Sequence, residues 1–135
     1  MKKLRDISEE NIKLLVDRFY EKVRSDAELG KVFTDAIGHS ASEWEPHLEK
    51  MYDFWSSLML TSGRYHGNPL KKHMDLPKFD LKLFSRWLEL FTQTAEETYH
   101  PEIAQIFISK SERVAANLKF HLHNSRPGDF TFAPA

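Results

Sequence analysis

Apolar residues recur at offsets of three and four along most of the chain and show no alternation at the period of two that a strand requires, so the pattern predicts an all-α protein. Ile12, Leu15, Val16, Phe19 and Val23 mark the face of a first long helix, with Ser8 as its cap and Glu9 and Glu10 in the first turn, where the positive helix end favours acids. A short, weakly specified helix follows from Asp26 to about Phe33, and Thr34 to Ala41 connect it onward. Trp44, His47, Met51, Phe54, Trp55 and Leu58 mark a second long helix. Ser42-x-x-Glu45 reads as its capping box, although Pro46 fits better one residue after a cap at Glu45.

Thr61 to Gly67 predict a mobile polar loop. Asn68 then caps a helix of barely two turns whose first position is Pro69, which carries His73 and is interrupted at Pro77. Asp80 is a good cap for the next long helix, with Phe79 and Phe84 as a hydrophobic staple and Phe84, Trp87, Leu88, Phe91 and Ala95 as its stripe. A last helix runs from about Pro101 to His123, with Ile103, Ile106, Phe107, Val114, Leu118 and Leu122 inward. The domain therefore spans residues 1–124, and residues 125–135, with Pro127, Gly128 and Pro134, form a loose tail.

Composition narrows the chemistry. Ten Phe and three Trp weight the apolar content towards large flat side chains, suited to a dense core or an aromatic-lined pocket. A net charge of -1 without charge blocks argues against a nucleic-acid or membrane-surface partner. The absence of cysteine excludes disulfides, thiolate ligation and covalent haem attachment. The amino terminus runs into acids before any apolar stretch, which reads as a soluble cytoplasmic protein.

On pattern alone the candidate residues have ordinary readings. A lone His73 on an apolar face is more often a packed histidine than a ligand. Tyr20 reads as a boundary tyrosine with its hydroxyl in water, Trp87 as a core tryptophan, and His47 as either inward-facing or partly exposed at the end of the core. A helical interaction module without haem would share all these features.

The ordered set of unusual residues adds more. From about Ile12 to Leu122 the chain resembles the truncated globins, specifically their third group. The resemblance rests on the Phe19-Tyr20 pair, Phe33, His47, the Phe54-Trp55 pair, His73 within Lys-Lys-His-Met-Asp-Leu-Pro, and Trp87. No two of the five glycines are adjacent, as in that group, whereas other truncated globins carry Gly-Gly motifs.

The resemblance implies two helix pairs sandwiching non-covalent haem b, with His73 as the only protein bond to iron. It places Tyr20, His47 and Trp87 on the ligand side and Phe33, Met51 and Trp55 among the cofactor contacts. Arg64, Tyr65 and Lys72 are candidates for the haem propionates, which need cations or hydroxyls. Tyr20 and Trp87 would donate to a bound ligand that gains negative charge; His47 could donate, gate the entrance or bind the iron itself. The expected ligands are O2, CO, NO and cyanide. Two donors would slow ligand release, which favours ligand chemistry such as NO dioxygenation or peroxide reduction, or sensing, over O2 delivery, with a reductase as partner.

Overall fold

A computed structural model describes residues 2–76 and 79–125, with six α-helices among them. These are α1 (Glu9–Ser25), α2 (Ala27–Ile37), α3 (Ala41–Leu60), α4 (Pro69–Met74), α5 (Leu83–Thr98) and α6 (Pro101–Ser125). Pro77 and the residues after Ser125, expected to stop a helix and to form a tail, lie outside the described residues.

Two helix pairs make the frame. α1 packs on α3, α5 packs on α6, and α1 and α2 join the pairs through α5. Ile12, Leu15, Val16, Phe19 and Val23 are buried on α1, as their spacing predicts. The Ser8 hydroxyl accepts from the Asn11 amide at 3.2 Å and caps that helix. Leu4 pairs with the α5–α6 junction, its amide donating to the Thr98 carbonyl and its carbonyl accepting from His100.

Several boundaries differ from expectation, each for a local reason. α2 runs on through Thr34 to Ile37, because its stop is Gly38, whose φ of 123° only glycine adopts readily. The capping box of α3 is Ser40 with Glu43, not Ser42 with Glu45, so Pro46 lies inside the helix and forgoes a backbone hydrogen bond there. The earlier start includes Trp44 in the helix, where it is buried and donates its indole N–H to the Gly38 carbonyl at 2.9 Å. α5 begins at Leu83, not directly after Asp80, because residues 80–83 form a turn that sinks Leu81 fully into the core. Within that turn Asp80 Oδ1 accepts from the Lys82 amide, and Phe79 and Phe84 meet at 6.0 Å as a staple should.

On α6 the close face is Ala104, Phe107, Ile108, Ser111, Ala115, Leu118 and Leu122, all buried. Small residues at 104, 111 and 115 let α5 approach, and that register turns Ile106 outward to 43% exposure, contrary to its expected inward position.

The core is divided. One cluster gathers α1, α2, α3 and the facing parts of α5 and α6. The other gathers Leu81, Phe84, Ala115, Leu118 and Leu122, and α4 rests on it through Leu70 and Met74.

Candidate haem site

α4 is too short to hold itself together and depends on its ends. Asn68 Oδ1 accepts from the Lys71 amide at 3.1 Å, and Pro69 occupies the first turn, where its missing N–H costs nothing. One turn on, His73 Nδ1 lies 2.7 Å from the Pro69 carbonyl oxygen. A carbonyl only accepts, so the proton sits on Nδ1 and Nε2 carries the free lone pair. Burial holds the His73 pKa below its usual value, which keeps the ring neutral. This is the form of imidazole that a metal binds, with the orienting partner already in place.

The opposite wall belongs to α1, α2, α3 and α5. Tyr20 is 5% exposed, and its ring meets Phe19 at 4.9 Å, Phe33 at 5.8 Å and His47 at 5.1 Å. It is therefore an interior residue, and the boundary reading with the hydroxyl in water is overturned. Burial, the largest influence, raises the phenol pKa and outweighs the opposing effect of the nearby Trp87 side chain, so the O–H keeps its proton. An indole is donor-only, so Trp87 can give an N–H but never accept the phenol proton. Trp87 itself is half-buried, with edge contact to Phe19 at 5.2 Å and parallel stacking on Phe91 at 5.5 Å.

His47 is half-buried, yet its Nε2 is buried with no partner. Burial, and after it the positive charge of Lys50, push its pKa down to about 4.

A cleft of about 440 Å³ beside α4 is lined by Phe54 and Leu58 of α3, Pro69 and Leu70 of α4, and Arg113 and Leu118 of α6; His73, Tyr20, His47 and Trp87 are not among its lining residues. Its size is that of an ordinary small-molecule site. Each of these features suits a flat apolar group with one coordination bond: a neutral imidazole on α4, and on α3 and α1 an unpartnered buried nitrogen and a phenol that keeps its proton.

The remaining candidates are placed less uniformly. Phe33 stacks on Trp44 at 6.2 Å and borders Tyr20 and His47. Met51 is half-buried and packs on the first cluster. Trp55 is 1% exposed and stacked on Phe91 at 4.8 Å, inside the core and one ring removed from Trp87. Lys72 is exposed. Arg64 is engaged by Glu9 at 3.3 Å, and Tyr65 lays its ring edge on Phe54 at 5.2 Å while its amide donates to Ser57 Oγ at 2.9 Å. Ser56, fully buried, bonds Ser62 Oγ at 2.7 Å, so the loop expected to be mobile is tied to the end of α3 and the start of α1.

Phe54, Leu58, Leu70, Val114 and Leu118 were read from sequence only as stripe or neighbouring apolar positions. The Pro69 carbonyl was foreshadowed by its spacing of four from His73, the offset that stacks one helical residue over another.

The bacterial-like globin family profile matches residues 7–124, and the chain belongs to that family. Membership implies a haem cofactor and the binding of small gaseous ligands. Within the family the similarity is to the third group of truncated haemoglobins. The group 3 truncated haemoglobin ctb of Campylobacter jejuni is 39% identical over 121 residues, covering 90% of this chain and 95% of that protein. The crystal structure of the group III truncated haemoglobin from Campylobacter jejuni superposes with a TM-score of 0.88 at 38% identity, covering 93% of this chain and 98% of that one. The fold is thus the truncated-globin sandwich that the sequence resemblance implied.

Proposed function

We propose that this chain holds haem b without a covalent link, with His73 Nε2 as its bond to iron, and binds O2 and other small diatomic or anionic ligands on the opposite face. The observation that carries the reading is the 2.7 Å contact of His73 Nδ1 with the Pro69 carbonyl, which leaves the Nε2 lone pair free for a metal. When bound, the haem supplies a sixth iron position at which a diatomic ligand acquires partial negative charge.

The protein's own part is to meet that charge. Tyr20, neutral and buried, donates its O–H; Trp87 either reinforces it through the phenol oxygen or turns its indole N–H to the ligand. His47, neutral and with an unpartnered Nε2, closes the third side. Phe33, Met51 and the cleft residues exclude water, which strengthens these bonds. Arg64, Tyr65 and Lys72 stand as propionate partners at the rim; Arg64 has to exchange Glu9 for that role.

Retention of a hydrogen-bonded ligand favours ligand chemistry, such as dioxygenation of nitric oxide or reduction of peroxide by way of a reductase, or sensing, over O2 delivery. Titration of the purified chain with haemin is the test. A Soret band saturating at one haemin per chain supports the reading; a chain that takes up no haemin is a helical interaction module.

A further inference from the structure

The corner between α1 and α2 carries an ion pair of better geometry than the surface pairs elsewhere. Arg86 Nε donates to Asp26 Oδ1 at 2.8 Å and Arg86 Nη2 approaches the same oxygen at 2.7 Å, while Nη1 reaches Glu89 at 3.1 Å. The Asp26 side chain is only 9% exposed. Its second oxygen, Oδ2, caps α2, accepting from the Leu29 amide at 3.0 Å and the Glu28 amide at 3.3 Å. Its backbone N–H closes α1 on the Val23 carbonyl at 3.1 Å. The Leu29 amide first, and then Arg86, hold the Asp26 carboxyl below the usual carboxylate range.

One residue thus joins the end of α1, through its backbone N–H, to the start of α2 and the α5 residue immediately before Trp87, through its carboxylate. Those three helices carry Phe19 and Tyr20, Phe33, and Trp87, three of the four walls around the phenol. There is no slack at the joint, since a Cβ on Gly30 would come within 2.8 Å of the Arg24 carbonyl.

We infer that the Asp26–Arg86 pair is a positioning device for the ligand-binding site, setting where Trp87, edge-on to Phe19 beside Tyr20, stands in the ligand-side wall and hence how strongly a charged ligand is held. The guanidinium fork is what fixes the angle as well as the distance, so lysine does not replace it. Arg86 acts only through its neighbour on α5 and meets neither cofactor nor ligand. The ligand readout rests on the haem reading above; the spectroscopic one does not.

The test uses Arg86→Gln, Arg86→Lys and Asp26→Asn, the last retaining a side chain that caps α2. The indole N–H resonance of Trp87, identified by its loss in Trp87→Phe, is followed by NMR in haem-free and haem-loaded protein, with O2 and CO release by stopped flow. The expected result is a displaced Trp87 resonance in all three variants. O2 release rises roughly three- to tenfold, part of what a charge-assisted hydrogen bond is worth, and CO release stays within about twofold because bound CO carries little charge. The double variant Asp26→Asn/Arg86→Gln is no worse than the single ones, as expected of partners in one interaction. An unmoved Trp87 resonance overturns the inference, as does a lowered Tm with O2 and CO release unchanged or raised alike. A chain that binds no haemin sinks the haem reading alone, since the resonance in the haem-free protein still decides the positioning.

Discussion

Tyr20 shows what sequence hides at the scale of one side chain. It is next to Phe19, about 100° round the helix, and α1 alone offers no reason to bury it. Phe33, Trp44 and His47, brought over it by α2 and α3, do so. Its environment is a tertiary fact, and only the family resemblance placed it inward. Replacing Tyr20 or Trp87 by Phe is expected to speed O2 release about ten- to a hundredfold, the equivalent of roughly 1.5–3 kcal/mol for a hydrogen bond to a charged acceptor. Because both donors would point at the same two-atom ligand, the two effects are coupled and do not multiply in the double variant. Stopped-flow release of CO, altered much less, is the control, and equal changes for both gases would assign the effect to pocket shape.

His47 supplies a pH dependence at the same scale. Its pKa in the fold is about 4, against an ordinary value of 6.5, so between those values the unfolded chain binds a proton that the folded chain refuses. Its contribution is complete above about pH 6.5 and is lost as pH falls towards about 4, amounting to at most about 3 kcal/mol. His73, shifted in the same direction by burial, adds to the trend. Urea midpoints of haem-free protein are expected to fall from pH 7 to about 4.5, and His47→Leu to fall less. Parallel decline of the two proteins would contradict the assignment.

Among elements, the stripes were legible and the ends were not. The faces of α1 and α5 follow from offsets of three and four, whereas the start of α3 required a choice between overlapping boxes, Ser40 with Glu43 and Ser42 with Glu45. Burial of Trp44 against Tyr20 and Phe33 and its bond to the Gly38 carbonyl decide it, and these are contacts with other elements that the local sequence does not carry. Ser40→Ala is therefore expected to cost about 1 kcal/mol, a fall in Tm of about 3–6 °C for a chain of this size. Ser42→Ala, which removes only the contact with the Ser40 hydroxyl at 3.1 Å, is expected to change Tm much less. Calorimetry showing the reverse order would restore the cap at Ser42. The start of α4 was legible because Asn68 and Pro69 are adjacent and His73 lies one turn on.

The whole molecule adds what no stripe could show, a core split into two clusters and a cleft bordered by α3, α4 and α6. Periodicity marks which residues face inward and is silent on whether they meet one another or a third body. Phe54 and Leu70 read alike in sequence, and only the assembled helices bring them to one cleft. On α4, His73 is the residue whose Nδ1 is already engaged, so that Nε2 keeps a free lone pair. The most direct test is the absorption spectrum of His73→Gly after haemin addition. Haem that is lost or spectrally perturbed, and partly restored by free imidazole, is the predicted result; unchanged haem retention and ligand spectra would give the bond to another residue and contradict the account.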